Sequence, residues 1–206
     1  MHTACALSAR HAPKFSTAQE DRTNVKFQDT MRRVITGDNA QGGSVVMIDG
    51  GPSSQKGNPD LGEMFEIWED AAFGVLTPSA GEDLGATRPV LGPGKGNFQV
   101  RWFVIHPQPD SASKPPSDAS MRARFADFYG AGHIIDQTLH PGMHETHSID
   151  IICLLQGGAS LILESGETRL QPGNVVIQRG TNHAWKAHDG PALFLAVLID
   201  RDLRHG

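Results

Sequence analysis

The chain has 206 residues, enough for one domain with extensions. Its composition, 38% hydrophobic and 20% charged, is that of a chain able to bury a real core. A net charge of −5 with no Lys/Arg run argues against nucleic acid as the main partner. No apolar run reaches the roughly 18 residues that span a bilayer, so no membrane association is expected. Two cysteines, Cys5 and Cys153, make no disulfide framework; Cys153 reads as a small buried hydrophobe. Residues 1–19 carry Arg10, His11 and Lys14 without an acidic residue, which faintly resembles a transit peptide. A frayed tail on a cytoplasmic protein is the preferred reading.

Residues 1–29 are polar and aperiodic and read as an N-terminal arm. Met31–Thr36 and Ser44–Asp49 flank a Gly/Asn-rich turn, a hairpin signal. Gly50 to Gly62 reads as a loop, Met64–Glu69 as a strand, Ser79 to Gly96 as another loop and Phe98–Ile105 as a strand. Residues 30–106 are thus N-terminal strands expected to pack on a core that follows. Pro107–Asp118 looks like a linker. Within 107–130, Asp118 can cap a short helix with Met121, Phe125 and Phe128 on one face and Gly130 as its stop. That stripe reads as a cover for a β core.

Residues 131–202 change character. Ile149–Leu155, Ala159–Glu164, Thr168–Gln171, Val175–Gln178, His183–Ala187 and Leu193–Ile199 are short strands separated by Gly-containing turns. Such regular strands without helices between them predict an antiparallel sandwich or barrel. Several are apolar on both faces, notably Ile151–Leu155 and Leu193–Ile199. Their outer faces need a cover, from the N-terminal strands, a second subunit or both, hence an expected homodimer.

Six of the ten histidines fall between residues 133 and 188. In His144-Glu-Thr-His147-Ser-Ile-Asp150, strand alternation puts His144, Thr146, Ser148 and Asp150 on one face and His147 on the other. His183 answers from Gln178-Arg-Gly-Thr-Asn-His183-Ala-Trp185. His144, Asp150 and His183 form a candidate 2-His-1-carboxylate set for a divalent ion such as Fe, Mn, Ni or Zn. Three protein ligands leave open positions for water, O2 or a chelating substrate. His140 and His147 are reserve ligands; His147 would need a bulge to turn inward. Thr146, Gln178 and Trp185 are candidate pocket residues. Trp185 shares the parity of His183, and its indole either stacks on a flat substrate or fills the interior. Arg179 reads as a partner for a substrate carboxylate or, before that, for a structural salt bridge. His133 and His188 look like loop residues.

These segments resemble the two motifs of the cupin family, G(X)5HXH(X)3–4E(X)6G and G(X)5PXG(X)2H(X)3N. His144 takes the first histidine position and Thr146 the second. Asp150 stands for the family's Glu, with Gly157 at the family interval. In the second motif Gln178 replaces the proline, Gly180 holds the glycine, His183 is the histidine and Ala187 stands for the Asn. The resemblance is specific over roughly 140–200 and looser over 31–106. It is closest to a bacterial and fungal subgroup with His-Pro-Gly-Met-His, Thr, Asp and Gln-Arg-Gly-Thr-x-His-Ala-Trp. Some fungal relatives there accompany polyketide pathways to small aromatic aldehydes and are labelled oxidoreductases.

The resemblance implies an all-β, double-stranded β-helix (jelly-roll) barrel with N-terminal strands and one or two short helices. It implies a metal-dependent enzyme, of dioxygenase or oxidoreductase type, acting on a small oxygenated aromatic or polyketide-like molecule. Two alternatives stand beside it, a non-redox isomerase or cyclase and a barrel that binds a small molecule without turnover. Fold alone does not choose among them.

Overall fold

Polar, Gly-rich turns interrupt β-branched runs along this chain, and the backbone answers with nine strands among the described residues. The computed structural model describes residues 27, 30–58, 62–76, 81–86, 89–107, 126, 133, 138–140 and 142–204. The expected helix within 107–130 and most of the N-terminal arm lie outside those residues. No helix among the described residues is long and apolar enough to cross a membrane.

Strands β1 (Arg33–Asp38) and β2 (Ser44–Gly50) form the expected hairpin as a separate two-stranded sheet. Strands β3 (Ser54–Asn58), β4 (Gly62–Ala71), β5 (Asn97–Ile105), β6 (Ser148–Leu163), β7 (Gly166–Leu170), β8 (Val175–Gln178) and β9 (Ala184–Asp200) make a seven-stranded sheet. Its order is β3-β4-β5-β9-β6-β7, with β8 on β6, and every pairing is antiparallel. The described residues are nearly all β, as the pattern of runs and turns implies.

Three readings change. β3 lies in the stretch expected to be a loop. Its sequence, Ser-Gln-Lys-Gly-Asn, has no β-branched residue, and it becomes a strand only because β4 offers a partner along its whole length. β6 and β9 each absorb two expected strands. The Gly157–Gly158 and Asp189–Pro191 segments, which read as hairpin turns, bend two continuous strands instead. Register shifts at Leu154/Gln156 and Gln156/Gly158 let β6 and β9 stay paired across that bend.

The bend is set by glycine chemistry. Gly157 has φ of +84°, and a Cβ there would stand 2.5 Å from the carbonyl oxygen of Pro191. Gly157→Ala is therefore expected to destabilise the fold by about 1–3 kcal/mol. Urea unfolding measures this, and an unchanged midpoint would remove Gly157 as the origin of the bend.

Folding the sheet over brings both halves onto one interior. Ile152, Leu154, Leu161, Leu170, Trp185, Phe194, Ala196 and Leu198 pack there, with Phe103 stacked on Phe194 at 4.6 Å. A second cluster covers part of the outside: Phe27 and Met31 pack on Phe65, Val104, Leu193 and Trp102. The anticipated cover for the outer wall is thus supplied there by the segment before β1. Further along, two cross-strand rows run over the outer face, Val100–Val197–Ile151–Ile177 and Trp102–Leu195–Cys153–Val175. Ile151, Val175 and Ile177 are 43%, 56% and 51% exposed. Cys153 is half-buried on this face rather than inside, because its parity opposes that of Ile152 and Leu154.

Candidate functional site

Thirty-nine positions separate His144 from His183, yet their backbones form an isolated antiparallel bridge. Each donates its N–H to the other's carbonyl, both at 2.9 Å. Directly opposed residues in such a pair put their side chains on the same face. The two imidazoles therefore meet with ring centroids 4.3 Å apart.

Both rings are locked in the same way. Nδ1 of His144 is 2.8 Å from the carbonyl of Gly142, and Nδ1 of His183 is 2.9 Å from that of Thr181. A carbonyl only accepts, so each Nδ1 carries the proton and each Nε2 carries the lone pair. Burial holds both rings neutral. It pushes His183 down to about 4, and drives His144 well below the ordinary histidine value with help from His183 beside it. A neutral imidazole oriented by a backbone carbonyl is the form that ligates a metal.

Asp150 shares this inward face and is also buried. Burial raises its carboxyl to about 6, against hydrogen bonds from Ser148 and Thr146. Those hydroxyls, both on its own side of the strand segment, hold the carboxylate. Among the described residues no group of three or more His, Cys, Asp and Glu stands as a ready metal-binding set. The structure preforms the histidine pair and keeps Asp150 on its neighbouring hydroxyls. Strand parity alone does not reveal this, because it assigns faces and not side-chain partners. The donor chemistry still fits a divalent ion at the two imidazoles, with a carboxylate on the same face.

The other candidates sort by burial. His147 is exposed as expected, but Glu145, which shares its parity, is buried, because residues 144–147 lie outside β6. His140 accepts a hydrogen bond from the backbone of Gly142 through Nδ1 and lines an outer groove with Glu167, Lys186 and His188. Trp185 points inward with its ring edge-on to His183 at 5.7 Å, and also contacts Phe103 and Phe194. Gln178, opposite Asp150 in the register, donates to the carbonyl and hydroxyl of Thr181. It braces the turn that delivers His183. Arg179 is exposed in that turn. His133, read as a plain loop residue, grips the His144 segment: its carbonyl and Nδ1 pair with the N–H and carbonyl of Glu145.

One polar group was missed. Glu66 on β4 and Gln99 and Arg101 on β5 are all buried, with Arg101 3.2 Å from Glu66. The available signal is three polar residues at inward positions of runs that are otherwise apolar.

No protein-family model matches the chain. It is 53% identical over 58 residues to phomopsin biosynthesis cluster protein C' of Diaporthe leptostromiformis, covering 28% of this chain and 31% of that one. It is 39% identical over 67 residues to oryzines biosynthesis cluster protein J of Aspergillus oryzae, covering 28% of this chain and 37% of that one. The match thus spans about a third of the length of these curated relatives. Among solved structures, a Cupin 2 conserved barrel domain protein from Salinispora arenicola overlaps 72% of this chain and 82% of its own, at 14% identity and TM-score 0.34. A cupin superfamily protein from Desulfitobacterium hafniense overlaps 50% and 67%, at 12% identity and TM-score 0.31. Superpositions at this level carry no argument by themselves, and the fold rests on the chain's own strand pairing. On that pairing the described residues form an antiparallel β sheet folded over one interior, and several of the structural neighbours are cupin proteins.

Proposed function

We propose that this chain is a single-domain cupin enzyme that uses a divalent metal on a small oxygenated, aromatic or polyketide-like molecule in a biosynthetic pathway. The observation carrying this reading is the paired tautomer lock, in which two buried neutral imidazoles 4.3 Å apart each present Nε2 as the lone-pair atom. His144 and His183 would hold the ion and Asp150 would supply the carboxylate. A bound Fe, Mn, Ni or Zn ion would polarise a substrate oxygen or, if redox-active, support O2 chemistry. Thr146 and Ser148 hold the Asp150 carboxylate, Gln178 fixes the His183 turn, and Trp185 walls the interior beside the histidines. The biosynthesis-cluster names of the partial relatives support a pathway role. Metal analysis of anaerobically purified protein tests the reading: about one equivalent of divalent ion is expected, and none under any loading condition would overturn it. Bound metal without O2 consumption on catechol-like or salicyl-type compounds would favour the isomerase or cyclase alternative.

We also propose that the chain is a homodimer through the outer face of β8, β6 and β9. The two apolar rows there contain no charged residue, which suits a like face from a second copy. Light scattering is expected to report twice the 22.2 kDa chain mass, and the Ile151→Lys/Ile177→Lys double variant the chain mass alone. A wild-type mass of one chain at micromolar concentration would refute the dimer.

A further inference from the structure

The two histidines are aimed by the same device, built twice. Each donates its Nδ1 proton to the carbonyl of the residue two places before it, His144 to Gly142 and His183 to Thr181. Thr181 is in turn held by a side chain further back, because the Gln178 amide donates to its carbonyl and its hydroxyl. Gly142 has such a holder too. Its N–H donates to Nδ1 of His140 at 3.1 Å. His140 thus stands to His144 as Gln178 stands to His183.

The Gly142 carbonyl needs a holder more than the Thr181 carbonyl does. Glycine has no side chain and the widest backbone freedom of any residue, so nothing in Gly142 itself fixes where its carbonyl points. Its surroundings form a clamp. A Cβ at Gly142 would stand 3.2 Å from Nδ1 of His140 and 3.9 Å from the Cβ of Ala184, the neighbour of His183. The glycine backbone therefore lies between the His140 ring and the start of β9. The His140 carbonyl also accepts the N–H of Met143 at 3.0 Å, so the ring and the backbone of one residue close the same turn. To accept from Gly142, Nδ1 must carry a lone pair, which leaves the ring neutral with its proton on Nε2. Burial and the charge of Lys186 lower the His140 pKa and favour that form, with Glu167 pulling the other way.

We propose that His140 is a positioning residue for the histidine pair: by holding the Gly142 N–H, it aims the Gly142 carbonyl that fixes the tautomer and direction of His144. It acts through Gly142 and not as a ligand, since its Nδ1 is engaged there and its ring lines the outer groove. The effect on metal rests on the reading of His144 and His183 as ligands. The tautomer of His144 is a property of the metal-free chain and does not.

Long-range proton–nitrogen correlation spectra of the metal-free full chain read which ring nitrogen of each histidine carries the proton. In the wild type His144 and His183 are both expected in the Nδ1–H form. In His140→Ala, His144 is expected to become a mixture of the two tautomers while His183 stays as it is. His140→Asn is expected to restore the Nδ1–H form, because an asparagine oxygen accepts the N–H two residues on in an Asx turn. Zinc titration is expected to show affinity about tenfold weaker in His140→Ala and recovered in His140→Asn. An unchanged His144 tautomer in folded His140→Ala would overturn the proposal. So would an equal change at both histidines, which marks general loosening, or a failure of asparagine to restore the signal. If His140→Ala does not fold, Gly142→Ala is read in the same way, since its methyl would press against the His140 ring. Wild type that binds no zinc, with His144 still responding to His140 as expected, would fail the metal reading and leave this one standing.

Discussion

His183→Ala is expected to lower divalent-metal affinity by more than about a hundredfold while the protein still folds. The ring makes one backbone-directed hydrogen bond and edge contacts, whereas the bridge to His144 uses main-chain atoms that alanine retains. The same loss is expected in His144→Ala. Metal content by mass spectrometry, read beside far-UV circular dichroism, separates a lost ligand from a lost fold. Asp150→Asn should cost less than either histidine change, because Ser148 and Thr146 already hold that carboxylate. Histidine variants that keep full metal content would place the ion elsewhere.

The second large effect concerns Glu66. Burial lifts its carboxyl from an ordinary 4.5 to about 7, with the charge of Arg101 pulling the other way. Between these values the folded protein holds a proton that the unfolded chain has released, so stability falls as pH rises through that window. The shift corresponds to about 3 kcal/mol. His183 works in the opposite sense: its value is depressed to about 4 from 6.5, so its contribution is lost as pH falls through that range. The wild-type profile is therefore flattened by opposing slopes. Glu66→Gln removes one of them. The stability difference between variant and wild type is expected to move by about 3 kcal/mol in the variant's favour from pH 4.5 to 7. Chemical denaturation across that range measures it, and a difference independent of pH would show that Glu66 does not titrate on folding.

Both predictions depend on residues whose faces were legible in the sequence to different degrees. The inward placing of His144, Thr146, Ser148 and Asp150 and the exposure of His147 were legible, though Glu145, of the parity of His147, is buried as well. It also aimed Trp185 inward beside His183. The partner of each side chain was not legible. Nothing in the spacing says that Ser148 and Thr146 take the Asp150 carboxylate, that Gln178 turns to the Thr181 turn, or that His133 clamps Glu145. The Glu66, Gln99 and Arg101 group went unread because each residue looks like an isolated interruption of an apolar strand. Gln99 and Arg101 share a face of β5, and only the pairing of β4 with β5 brings Glu66 opposite Arg101.

What the sequence determined by itself is the all-β class, the positions of most strands and the inward identity of the histidine-bearing face. These follow from a period of two and from glycine turns, which act over a few residues. What only the tertiary structure decided is the bending of β6 and β9 as continuous strands, the recruitment of β3, the cover from Phe27 and Met31, and the meeting of His144 with His183. Each depends on which distant segment a strand pairs with, and that choice is settled by burial of the shared interior rather than by local residue type.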